Sequence, residues 1–217
     1  MIRHHFFNKK SRIETLAEAV LALQSGPLSD NDKEAISFLV QSIYKPPAAR
    51  INPVKVPFKA AALFVAGKGE QRTYLRHIRV KDGRVEASDG KTLIQIGGQA
   101  SRADGWYDKK GSFIEQPGNA YWPEFGKCIQ TDDPVGVVNL VYAPIEGVIC
   151  ADNNSTVRLA RRFQPDPMGM PSFFGVDLTD RLIRIGFVEA VLFGGPGNWR
   201  LAARQGGVVA VVMALRT

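Results

Sequence analysis

The residue types able to do acid–base, nucleophilic or metal chemistry are few and scattered in this sequence. Its histidines are His4, His5 and His77. His4-His5 sits in the basic N-terminal stretch MIRHHFFNKK, where a weak metal site is conceivable, while His77 alternates with Leu75 and Ile78 as a structural histidine in a strand would. The paired acids Asp30/Asp32 and Asp132-Asp133 each precede or cap an element. Cys128 and Cys150 lack metal-ligand spacing and read as buried thiols in a reducing compartment. Gly194-Gly195-Pro196-Gly197 is glycine-rich, but it joins two strands instead of opening a helix, so it reads as a turn and not as a phosphate cradle. The nucleotide-binding and nucleophile-elbow signatures are absent, and no acid, base and nucleophile share a defensible arrangement. The expectation is a protein that is not an enzyme and uses no cofactor and no metal.

The bulk properties point the same way. A chain of 217 residues, 45% hydrophobic, can bury a sizeable core as one large domain or two small ones. A net charge of +7 permits a polyanionic partner, since Lys and Arg release counterions from nucleic acid. No apolar run approaches the roughly 20 residues of a membrane helix, and the N-terminal stretch lacks a secretory signal pattern, so a cytoplasmic location is expected.

Residues 1–50 read as a helical hairpin. Ile13, Leu16, Ala17, Val20 and Leu21 recur at helical spacing up to Gly26-Pro27, and Ile36, Leu39, Val40 and Ile43 form a second stripe after a capping box at Asn31 and Glu34. From Ile51 the pattern changes. A helix over 57–66 starts on proline, and three strands follow around Asp82-Gly83 and Ser88-Asp89-Gly90. Residues 98–120 read as a long loop with a short strand near Phe113. The order then recurs: a helix at 122–129, and strands at 135–141, 148–151 and 156–160, with turns at Glu146-Gly147 and 152–154. After a proline-rich link comes a third copy: a strand at 173–176, a helix capped by Asp177 or Thr179, and strands at 188–193, 199–203 and 208–215. The fold class is therefore α+β, with strand–helix–three-strand repeats, antiparallel sheets and helices on one face. The domains are the hairpin at 1–50, a two-unit domain at 51–171 and a third half-unit at 172–217.

Three stretches resemble one family, the beta subunit of bacterial DNA polymerase III, the sliding clamp. Arg72-Thr73-Tyr74-Leu75 running to Val80, followed by Val85-Glu86-Ala87-Ser88-Asp89-Gly90-Lys91-Thr92-Leu93, is similar to the clamp's R-x-Y-L-x-G strand and A-T-D-G-H-R-L. Tyr121-Trp122-Pro123 resembles the I-V-P before a clamp helix, and Arg162-Phe163-Gln164-Pro165-Asp166 its G-R-F-P-D-Y. Val211-Val212-Met213-Ala214-Leu215-Arg216-Thr217 resembles the ending V-V-M-P-M-R-L. The matches fall in the clamp's order over residues 52–217, as in a shortened, divergent relative of the kind a phage would encode.

The resemblance implies an oligomeric ring on duplex DNA, gripping phosphates through helices without reading bases, with Lys59, Lys127, Arg181 and Arg184 as the contacts. It also implies a hydrophobic pocket for peptides of polymerase or clamp-loader proteins, formed by Gly90, Lys91, Thr92, Leu93, Pro123, Val212, Met213, Ala214 and Leu215. Departures stand inside that pocket: Lys91-Thr92 replaces His-Arg, Ala214 replaces Pro and Leu215 replaces Met. The alternative is a non-ring interaction module that binds replication proteins without encircling DNA. A third possibility is an unrelated α+β assembly protein.

Overall fold

The computed structural model describes residues 44, 47, 51–98, 101–118, 121–129, 134–149, 157–164 and 169–215. The helical hairpin expected over 1–50 lies outside the described residues except for Tyr44 and Pro47. So do His4, His5, Asp30, Asp32, Asp132, Asp133, Cys150 and the turn at 152–154.

Helix α1 (Pro57–Ala61) begins on proline, whose fixed φ suits the first turn and whose missing N–H is no loss there. It is shorter than expected because the chain tightens after Ala61. The amides of Leu63 and Phe64 bond to the carbonyls of Ala60 and Ala61, a tighter spacing that still drives Phe64 and Val65 into the core. Leu75, expected in a strand, is buried instead from a 3-10 turn over Thr73–Arg76. Strands β1 (Ile78–Lys81), β2 (Arg84–Ser88) and β3 (Thr92–Ile96) follow. Asp82 and Gly83 have φ of 51° and 68°, the left-handed pair that a two-residue hairpin requires between right-twisted strands. The expected loop over 98–120 holds an edge hairpin, β4 (Gly105–Tyr107) and β5 (Phe113–Ile114). The Asp108 carboxylate makes its turn by accepting the amides of Lys110 and Ser112, each at 2.8 Å.

Helix α2 (Phe125–Ile129) precedes β6 (Pro134–Asn139), β7 (Ile145–Ile149) and β8 (Val157–Phe163). Glu146 and Gly147, expected as a turn, lie inside β7 opposite Ala160 and Leu159. The turn falls earlier, where the Asn139 side chain accepts the amides of Val141 and Tyr142. Next come β9 (Ser172–Gly175), α3 (Val176–Arg184), β10 (Glu189–Phe193), β11 (Arg200–Gln205) and β12 (Val208–Met213). Neither Asp177 nor Thr179 caps α3. Gly175 is its N-cap without a side-chain bond, and Thr179 is buried, its hydroxyl donating back to the Gly175 carbonyl at 3.1 Å.

The strands form a nine-stranded antiparallel sheet in the order β5-β4-β1-β2-β3-β12-β11-β10-β6 and a three-stranded sheet β7-β8-β9. Alternation sorts the large sheet into two faces. Ile78, Val85, Ile94, Ala210, Leu201 and Leu192 pack with Ala60, Phe64 and Leu182 beneath α1 and α3. Leu93, Trp106, Val211, Ala202 and Phe193 point the other way and pack with Trp122 and Phe125, so α2 crosses the opposite face from α1 and α3. Because both faces are covered, β2 is buried at four of five positions, Glu86 and Ser88 included. Each fully buried large side chain, such as Phe64 or Leu182, contributes about 1.5–3 kcal/mol.

A polar node ties the small sheet to α3. The fully buried Arg161 of β8 donates to the Asp180 carboxylate at 2.9 Å and to the Thr179 hydroxyl at 2.9 Å, and lies over the Tyr44 ring. Burial, and then the bond to Asp180, raise the Tyr44 phenol above the ordinary tyrosine range. Among the described residues, no helix is long and apolar enough to cross a membrane.

Candidate functional site

The turn between β2 and β3 is built from its own side chains. Asp89 Oδ1 accepts the amides of Lys91 and Thr92 at 2.9 and 2.7 Å and the Thr92 hydroxyl at 2.9 Å. Ser88 Oγ donates to the Thr92 carbonyl at 2.8 Å and accepts the Gly90 amide. Gly90 has a φ of +86°, a left-handed conformation that favours glycine. Asp89 Oδ2 takes the Arg181 guanidinium of α3, which also donates to Thr92 Oγ1 at 2.9 Å. One helix is thereby pinned to the tip of the turn.

Beyond the turn, β3 runs antiparallel to β12. Thr92 pairs with Val212 and Leu93 with Val211, and the Met213 amide bonds to the Lys91 carbonyl at 2.9 Å. The two stretches that the sequence nominates as pocket walls are thus hydrogen-bonded neighbours. They do not present all nine nominated residues to one surface. Leu93 and, by alternation along β12, Met213 belong to the α2 face, whereas Thr92 reaches Arg181 and Val212, fully buried, joins the α1/α3 core. Period-two alternation forces this split. Gly90 is exposed, Pro123 is half-buried next to Trp122, and Met213 is 42% exposed. Ala214 and Leu215 are drawn away by amide bonds to the carbonyls of Trp199 and Phe173.

The α2 face carries residues that sequence reasoning missed. The Trp122 indole N–H donates to Glu86 Oε2 at 3.0 Å, and Gln95 Nε2 donates to Glu86 Oε1 at 2.9 Å. Trp106 meets Trp122 edge-on at 5.0 Å. Arg204 donates to the Ile129 carbonyl at 2.7 Å. Glu86 gave a signal only as the polar member of an alternating strand. Its partner Trp122 stands far away in sequence, and no spacing rule links them.

The four nominated phosphate contacts separate. Lys59 and Arg184 are exposed on α1 and α3, which share a face. Arg181 is engaged by Asp89, with 22% of its side chain exposed. Lys127, on α2, lies on the opposite face and pairs with Glu124 at 2.8 Å. His77 is alone among the described residues as a histidine; its Nδ1 is buried without a partner, and burial, helped by Arg76, holds its pKa below the usual value. Among the described residues, no three His, Cys, Asp or Glu side chains converge to hold a metal ion.

No protein-family model matches the sequence, and no curated protein sequence matches it. Matches among solved structures include sliding clamps. The DnaN sliding clamp (DNA polymerase III subunit beta) of Bartonella birtlesii, bound to griselimycin, is 14% identical with a TM-score of 0.47, covering 77% of this chain and 65% of that one. The DNA polymerase III beta subunit of Thermotoga maritima is 12% identical with a TM-score of 0.45, over 74% of this chain and 61% of that one. The DNA polymerase III subunit beta of Pseudomonas aeruginosa is 12% identical with a TM-score of 0.47, over 89% and 70%. The chain thus spans less than two thirds of the length of the first two.

Proposed function

We propose that this chain is a sliding-clamp-like accessory protein of DNA replication: non-enzymatic, oligomeric, holding duplex DNA through its backbone and partner proteins through an apolar peptide site. The observation that carries the reading is the seam between β3 and β12. It brings Lys91 and Thr92 beside Met213 and Val212, within the two motif segments nominated as pocket walls. Leu93 and Met213 are the anchors of that site. Residues 51–171 act as a two-unit domain and 172–217 as a third half-unit.

Two measurements test it. Light scattering after gel filtration gives the mass in solution, and a titration of fluorescent duplex DNA at several salt concentrations gives the electrostatic slope. A strict monomer without salt-sensitive DNA binding overturns the ring. For the peptide site, Met213→Asp abolishes binding of a polymerase-tail peptide and leaves DNA affinity unchanged; unaltered peptide binding overturns the site.

One observation favours a second reading, a non-ring module that binds replication proteins without encircling DNA. Of the four nominated cations, only Lys59 and Arg184 are exposed on a common face. Under this second reading Lys59→Ala and Arg184→Ala change nothing. Under the ring reading each lowers the salt slope by about 0.9, and Lys127→Ala has no effect.

A further inference from the structure

A row of side chains crosses the sheet on the face opposite α1 and α3. It runs Leu93, Val211, Ala202, Val191, Val137, each directly opposite the next in strand register. With alanine in the middle, the row is a shallow trough. Its two ends differ sharply: Leu93 and Val211 are 6% and 3% exposed, whereas Val137 is 66% exposed. Phe125 and Ile129 pack on the covered end, Trp122 sits just past it against Glu86, Trp106 and Tyr74, and the uncovered end opens into a cavity of about 260 Å³ beside Val137 and Arg204.

The cover is slight. Helix α2 has five residues, well short of a length that is stable alone, so its side chains must hold it in place. Three polar contacts reach the segment from the sheet: Glu86 accepts the Trp122 indole, the Arg79 guanidinium lies over the Trp122 ring at 5.9 Å, and Arg204 donates to the Ile129 carbonyl. Phe125 and Ile129 stand at i and i+4 on α2, a spacing with which a short amphipathic helix fills a hydrophobic groove, and Trp122 adds a third apolar side chain from the stretch before it.

We infer that residues 121–129 are an intramolecular occupant of this trough, holding the peptide site closed against partners that present aromatic or aliphatic anchors at the same spacing. The inference rests on the proposed peptide site for the identity of the competitor. The occupancy itself rests on the packing. A tethered segment competes at high effective concentration, so a partner binds only as fast and as tightly as this segment yields.

The test supplies the segment in trans. The probe is a fluorescein-labelled synthetic peptide YWPEFGKCI, the sequence of residues 121–129, titrated under reducing conditions by anisotropy. The double variant Trp122→Ala/Phe125→Ala is expected to bind it at least about tenfold more tightly than the unmodified protein, with Arg204→Ala in between. Equal binding by all three proteins, or none, overturns the inference. If the double variant loses its circular dichroism signature, Arg204→Ala decides, because its exposed side chain contributes one contact: tighter binding supports the inference, unchanged binding overturns it. A polymerase-tail peptide separates the two claims. If it binds the unmodified and double-variant proteins equally, the occupant is refuted and the peptide site stands. If it binds neither while YWPEFGKCI binds the double variant, the occupant stands and the partner reading falls.

Discussion

Replacing Asp89 with alanine strips the β2–β3 turn of its organising acceptor. Four donors lose it at once: the Lys91 and Thr92 amides, the Thr92 hydroxyl and the Arg181 guanidinium. The Asp89 and Arg181 side chains are 12% and 22% exposed, so the stranded guanidinium is partly reached by water. Breaking a fully buried pair costs about 3–5 kcal/mol, and the residual exposure brings the expected loss to about 2–3 kcal/mol. Arg181→Ala leaves the carboxylate with its three turn donors and should cost less, about 1.5 kcal/mol. The double variant should then be little worse than Asp89→Ala alone, a coupling of about 1 kcal/mol or more. Urea unfolding followed by circular dichroism measures all three at pH 7. Asp89→Asn, which keeps an acceptor for the turn but loses the charge, separates the turn from the ion pair. Effects that add to within about 0.5 kcal/mol would show that α3 and the turn are energetically independent and refute the pinning argument.

Other outcomes follow from single positions. Gly194 has a φ of +92°, and a Cβ there would run into the Asn198 carbonyl oxygen, so Gly194→Ala should cost about 1–3 kcal/mol in a thermal melt. Gly195→Ala, with open space around it, should leave the melt unchanged. Hydrogen bonds from the Arg72 side chain and amide pull the half-buried Glu70 carboxyl from 4.5 to about 2. The folded pKa is depressed, so the contact is fully favourable above about pH 4.5 and is lost as pH falls toward 2. Carboxyl-carbon NMR should show Glu70 titrating near the lower limit, and Arg72→Ala should return it to the ordinary range.

The local signals in the sequence carried the hairpins well. Asp82-Gly83 marks its turn because the left-handed pair it adopts is written in the residue types, and the alternation along Arg84-Val85-Glu86-Ala87 marks Val85 and Ala87 as inward positions. The glycine-rich run at 194–197 is a strand connection, as its residues suggest. Helix limits and caps were less legible. α1 stops at Ala61 because packing of Phe64, not propensity, sets its end, and Thr179 is drawn inward by Arg161, which no local pattern reveals. The candidate site shows the same division. The motif segments at 90–93 and 212–215 could be picked out, but alternation then turns Thr92 and Val212 into the core. The bond from Trp122 to Glu86 joins residues from different elements through a fold that a linear reading does not contain. Likewise, the four basic residues share a chemical type but not a face.

The pairing of β3 with β12 has a consequence for how the chain assembles. Thr92 and Val212 are among the most distant strand partners in the sequence, and the strand that joins the two halves of the large sheet is the last of the described strands. Closing such a long loop is entropically late, and topologies dominated by non-local pairing fold slowly. Until β12 docks, the β3 edge is bare and the apolar row on the α2 face is incomplete, so the growing chain carries a sticky half-sheet while it is being made. The seam on which partner binding would depend is therefore also the seam that comes into being last, and a chain clipped before Val208 would lose both its site and the union of its sheet.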